Sequence, residues 1–137
     1  MKFFKPFEMP TGAAIPEREV SIVDFGAVPC SLTAESEVVP GSVKNTEAIK
    51  AAIDAVASQG GVRVVFPAGN WLTGPIHFKS NVELHLEKGC EVFFSTDKAD
   101  YLPVVFTLYE GMRCYTYSAQ LYAHECHDIA ITGEGTF

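Results

Sequence analysis

One change of period constrains this chain more than any other feature. From Ala48 to Ala57 the apolar residues recur at helical spacing, with Ala48, Ile49, Ala52, Ile53, Val56 and Ala57 forming one stripe. Asn45 stands where an N-cap belongs, and Thr46 and Glu47 open the first turn, where a carboxylate suits the helix dipole. Gly60-Gly61 supplies the positive φ that ends helices. The spacing predicts a helix over residues 45–59, and beyond it the period falls to two.

The run after the glycines is a series of short strands cut by tight breaks. "VRVVF" (62–66) is stopped by "PAG" (67–69), and "NWLT" is followed by Gly74-Pro75, "IHF" and the turn "KSN" (79–81). "VELHL" (82–86) alternates cleanly, then "EKG" turns the chain into "CEVFF". Before the helix, Glu19–Phe25 predicts a strand, residues 26–44 a loop, and Met1–Pro16 an extended lead-in. Strands this short cannot each bury a face alone. A hairpin meander is one solution, but the turns lack the Asn-Gly and Asp-Gly pairs that favour it. The other is a solenoid, in which each strand stacks on the equivalent strand of the next coil, roughly 20 or more residues on. Val64, Leu84, Ile129 and Ile131 would then occupy stacked inward positions.

With 137 residues, 47% of them hydrophobic and 20% charged, the chain is expected to form one domain spanning 1–137. A formal net charge of −7 and the lack of a basic stripe speak against a nucleic-acid partner. No apolar run reaches the ~20 residues needed to cross a bilayer, so no membrane partner is expected. "MKFFKPFEMPTG" lacks the pattern of a signal peptide, which makes a cytoplasmic location the default expectation. Cys30, Cys90, Cys114 and Cys126 form no C-x-x-C pair and read as buried free thiols. His124, Cys126 and His127 lie close in sequence, but their spacing matches no zinc pattern, so neither metal nor cofactor is expected.

Several short motifs occur in a fixed order: Asp24-Phe25-Gly26-Ala27, Asn45-Thr46, Gly60-Gly61, Pro67-Ala68-Gly69, Thr73-Gly74-Pro75-Ile76, Lys79-Ser80-Asn81-Val82 and Ile131-Thr132-Gly133-Glu134-Gly135. Together they resemble the amino-terminal part of the polygalacturonase-type pectin hydrolases, glycoside hydrolase family 28. The stretch from Val104 to Gly135 resembles the bacterial branch. The resemblance implies a right-handed parallel β-helix of which this chain holds the first coils. The segment 45–59 would be a cap over the amino-terminal end of the stack, with Ile49, Ile53 and Val56 as its plug. It further implies inverting hydrolysis of O-glycosidic bonds in pectin or polygalacturonate, a polysaccharide partner.

Glycoside hydrolysis needs two carboxyl roles. The resembled family fills them with aspartates in N-x-D and D-D motifs, completed by G-H-G and R-x-K. None of these occurs in this chain. Catalysis is therefore expected from coils beyond Phe137, the chain alone is expected to be inactive, and no catalytic residue is assigned. Asp97 and Asp100 read as a polar turn, Glu110-Gly111 as a turn or cleft rim beside Tyr109 and Arg113, and Asp128 as a turn residue. His124 and His127 read as surface positions, with a distal substrate contact as the alternative. Tyr101, Phe106, Tyr109, Tyr115, Tyr117 and Tyr122 could stack on sugar rings, although half-buried sheet positions explain them more simply. Trp71 reads as core. The alternative function is a non-catalytic carbohydrate-binding or assembly module. An open carboxyl end would expose strand edges, so self-association or marginal stability is expected.

Overall fold

A computed structural model describes residues 19–109 and 112–137. The lead-in expected over Met1–Pro16 and the turn expected at Glu110-Gly111 lie outside them. The described protein is mainly β, with one α-helix and ten strands. In chain order these are β1 (Glu19–Ser21), α1 (Thr46–Ala57), β2 (Val62–Phe66), β3 (Gly69–Thr73), β4 (Ile76–His77), β5 (Val82–Leu86), β6 (Cys90–Phe94), β7 (Val105–Tyr109), β8 (Met112–Thr116), β9 (Leu121–Tyr122) and β10 (Ala130–Gly133).

Three sheets are parallel: β1-β2-β5-β10, β3-β6 and β4-β9. Val64 pairs with Leu84, a step of 20 residues (64 to 84), and Trp71 pairs with Val92, a step of 21 (71 to 92). Strands this close in sequence can run parallel only if the chain travels round and returns, which β3 and β4 allow. The next steps are longer, 47 residues from Leu84 to Ile131 and 45 from Ile76 to Leu121. The excess contains β7 and β8, which form an antiparallel pair of their own. The meander solution is therefore confined to this one pair.

The register explains the period of two. Val64, Phe66, Val82, Leu84 and Leu86 point inward and are buried, whereas Arg63 stacks on Glu83 on the outer face. Ile131 continues the Val64–Leu84 stack as expected, but it is 49% exposed. Ile129 packs partly buried against the core. Helix α1 turns Ile49, Ala52, Ile53 and Val56 into the same core and lies against β1, β2, β4 and β5. Burial of each large side chain contributes about 2 kcal/mol.

Three local expectations are corrected. The strand predicted over Glu19–Phe25 stops at Ser21 and becomes a 3-10 turn over Ile22–Phe25. The Ser21 hydroxyl accepts from Val23 N, and the Asp24 carboxylate accepts from Ser21 N, so these polar side chains satisfy the backbone in place of a ladder. The helix runs from Thr46 to Ala57 rather than over 45–59, and Gly60 and Gly61 do take φ of 86° and 108°. Asn45 precedes it, but its side chain makes no capping bond. It is 2% exposed and ties two separate segments together instead. Its Oδ1 accepts from Val28 N at 2.7 Å, and its Nδ2 donates to Val28 O at 2.9 Å and Leu72 O at 3.1 Å.

The Gly133-Glu134-Gly135 close also acquires a physical reason. Both Glu134 N and Gly135 N donate to Leu86 O, drawing this turn onto the end of β5. Gly133 has φ of 102°, and a Cβ there would lie 2.0 Å from Leu86 O. Only glycine fits so close an approach.

Candidate functional site

The residues that reach toward one another lie at β4 and β9. His77, exposed by the alternation after the buried Ile76, has its Nε2 2.8 Å from Ser118 Oγ. Ser118 Oγ also lies 2.9 Å from Ala119 O, and assigning its hydroxyl proton to that carbonyl makes Nε2 the donor to Ser118. Although the residue is exposed as a whole, partial desolvation of its ring holds the His77 pKa below its ordinary value, keeping it neutral. A serine whose proton points away from the histidine is not an activated nucleophile, and this pair reads as a structural bond.

From His77 a run of aromatic contacts leads outward. Its ring centroid lies 5.1 Å from that of Tyr122, which stacks on His124 at 6.3 Å. His124 meets the edge of Phe106 at 5.8 Å, and Phe106 meets Tyr115 across the β7–β8 pair at 5.8 Å. The Tyr122 hydroxyl donates to Phe106 O at 2.7 Å, which fastens the antiparallel pair to the parallel sheet. On the other side of His77 is a groove of about 340 Å³, lined by Glu47 and Lys50 of α1 and by Asp100, Leu102 and Pro103.

The sequence-predicted candidates separate under this geometry. Asp97 caps a 3-10 turn over Lys98–Tyr101 by accepting from Ala99 N. Asp100 is held 2.5 Å from Lys44 Nζ and accepts from the Ser95 hydroxyl, and the Lys44 and Ser95 hydrogen bonds keep its carboxyl below the usual range. It thus anchors the 26–44 loop and is committed as a charged acceptor, a poor general acid. Glu110 and Gly111 lie outside the described residues. Asp128 takes φ of 52°, as a turn residue would. His124 pairs with Glu125 at 3.7 Å, and His127 pairs with Asp128 at 3.1 Å, while Cys126 Sγ contacts the Phe78 and His124 carbonyl oxygens. These three do not converge, and among the described residues no group of His, Cys, Asp and Glu could hold a metal ion.

Trp71 is buried with its Nε1 donating to Pro67 O. All four cysteines are free, but only Cys90 is buried; Cys30, Cys114 and Cys126 are half-buried, which corrects the expectation for those three. They sit on loops and on the outlying β8 rather than on inward strand positions. Burial pushes the Cys90 thiol up to about 11. Tyr101 donates to Ser95 O, away from the aromatic run. Half-burial does not describe Tyr115 and Tyr117, which are 73% and 52% exposed. What sequence reasoning missed is the link through His77 and His124. The one available signal was that β7 and β8 alternate about a common centre at residues 110–111.

Comparison with known proteins bears on the same residues. No family model matches the chain. It is 39% identical over 97 residues to the exo-poly-alpha-D-galacturonosidase of Dickeya chrysanthemi, covering 71% of this chain and 15% of that protein. A probable polygalacturonase from Vitis vinifera is 29% identical over 122 residues, covering 83% and 23%. Among solved structures, the exopolygalacturonase of Thermotoga maritima superposes with a TM-score of 0.79 at 42% identity, over 91% of this chain and 26% of that one. The chain is homologous to the polygalacturonases. A family 28 exopolygalacturonase from Yersinia enterocolitica is also similar, with a TM-score of 0.69 at 28% identity over 86% of this chain and 20% of that one. This polygalacturonase homologue spans less than a quarter of the length of the curated relatives it matches, 15% and 23%. Among its described residues no helix is long and apolar enough to cross a membrane.

Proposed function

We propose that the chain supplies the capped end and first coils of a right-handed parallel β-helix in a galacturonan hydrolase of family 28, with α1 as the cap. The observation that carries this reading is the pair of near-equal parallel steps, Val64 to Leu84 and Trp71 to Val92, in a chain 42% identical to an exopolygalacturonase over 91% of its length. Covering an end with an amphipathic helix removes an open apolar face and its unpaired strand edge. In this reading the substrate is polygalacturonate, cleaved with inversion, and the two hydrolytic carboxyls are not among these residues. Asp97 and Asp100 have structural roles, and the sequence holds no adjacent aspartate pair. β10, which carries the half-exposed Ile131, is the contact through which the chain self-associates.

Incubating the 137-residue chain with polygalacturonate, while following gel retardation and reducing-end release, tests the assignment. Retardation without release is expected. Release of galacturonate would overturn the placement of the acids, and the absence of any interaction would overturn the substrate class.

A further inference from the structure

We infer that the corner between β9 and the β7–β8 pair is a binding platform for the anionic sugar chain, gripping it by stacking and by one guanidinium. The inference rests on the galacturonan reading above and assigns a contact surface within it. Paired residues of an antiparallel ladder share a face, and alternate residues of one strand do too. Phe106 pairs with Tyr115, so Arg113 and Tyr115 follow one another along the face that carries Phe106, and Tyr117 lies just past the end of β8. Phe106 turns that face toward His124, so Tyr122 and His124 form the floor of a corner and the hairpin forms its wall.

Three observations point to a ligand of this chemistry. The wall is uncovered, with Tyr115 73% and Tyr117 52% exposed, although burying an aromatic ring is among the larger gains available to a fold. Behind it the Tyr122 ring is held by its hydroxyl's bond to the Phe106 carbonyl, so stacking against it loses little side-chain freedom. Finally, the span from Leu102 to Ser118 carries two formal charges, Glu110 and Arg113, and Arg113 is exposed with no ion pair among the described residues, in a chain whose net charge is −7. An exposed cation next to Tyr115 on an otherwise acidic protein is complementary to a polymer that presents a C–H face and a carboxylate on each sugar. A neutral glucan offers only the first contact.

The test uses affinity electrophoresis of the full chain in gels containing polygalacturonate or its fully methyl-esterified form. Replacing both Tyr115→Ala and Tyr117→Ala is expected to weaken retardation roughly tenfold in either gel, since each stacked ring is worth roughly a two- to tenfold effect. Arg113→Gln should weaken it roughly two- to fivefold in the acidic gel only, and should reduce the salt sensitivity. Tyr115→Phe should bind as the parent does. These side chains are exposed, so thermal unfolding should be unchanged, and circular dichroism checks this. Variants that bind polygalacturonate as well as the parent overturn the platform and leave the galacturonan reading intact. A parent chain that ignores both gels overturns the two together. Sedimentation that turns from dimer to monomer in the double variant, with retardation unchanged, shows a second copy as the occupant and also overturns the platform.

Discussion

Replacing Asn45 by aspartate separates two roles that a single sequence position can serve. As an N-cap, aspartate is as good as asparagine, and its charge suits the helix dipole, so the change should be neutral or gain a few tenths of a kcal/mol. The structure gives the side chain a different task. Its Nδ2 donates to the carbonyls of Val28 and Leu72 while Oδ1 accepts from Val28 N, at a site 2% exposed. Aspartate keeps the acceptor but turns a carboxylate oxygen toward two carbonyl oxygens with little water at hand. Losing two hydrogen bonds costs about 2 kcal/mol, and the buried, unpaired charge adds at least about 1–3 kcal/mol. Asn45→Ala loses all three bonds, but Leu72 O still accepts from Asn45 N and Val28 lies near water, so about 2–4 kcal/mol is expected. For a chain of this size aspartate should lower Tm by roughly 10 °C or more. Acidification should recover part of that loss, because protonating a carboxyl with a raised folded pKa restores one donor. Urea unfolding at pH 7 of the parent, Asn45→Asp and Asn45→Ala decides the matter. An aspartate variant as stable as the parent would refute the bridging role and restore the cap.

Two further outcomes are expected. Acid stability should fall in two stages. His77 is held neutral by partial desolvation of its ring, so its contribution is complete above about pH 6.5 and is lost as pH falls toward its lower folded pKa. Lys79 holds the Asp54 carboxyl below its usual range. Burial alone would raise Glu83, but hydrogen bonds from Arg63 and Thr132 outweigh it, so both contributions persist until pH falls below about 4.5. Urea midpoints from pH 8 to 3 should show the first decline in the parent and not in His77→Gln; a flat parent curve between pH 7 and 5 would contradict it. The buried Thr73 hydroxyl has no hydrogen-bond partner among the described residues, so Thr73→Val should raise stability by about 1 kcal/mol, read as a higher Tm. A lower Tm would mean that the hydroxyl is satisfied.

Much of the scaffold was legible because its rules are local. The alternation in "VELHL" and the stripe from Ala48 to Ala57 each follow from burial of one face, and both elements form where the periods place them. The Ser21–Asp24 turn was not legible as such, since Glu19–Phe25 alternates well enough for a strand and only the reciprocal side-chain bonds decide against it. Asn45 was legible as a helix-starting residue for a reason the structure does not use. Val28 and Leu72 stand 17 and 27 residues away, and no local rule connects them.

The same distinction governs the candidate site. Two of the motifs that mark resemblance to pectin hydrolases are close approaches between segments far apart in sequence, Gly133 against Leu86 O and Asn45 between Val28 and Leu72. They report how the scaffold closes, whatever chemistry it carries. The surface with an unmet contact, by contrast, lies in the extra residues that lengthen one step from 20 to 47, where β7 and β8 leave the parallel register. A segment that pairs with itself is released from the parallel register, so its outward residues are free to serve a ligand rather than the core. Tyr115 and Tyr117 are therefore the positions where a change should alter sugar binding without altering the fold. Gly133 and Asn45 are the positions where the reverse should hold.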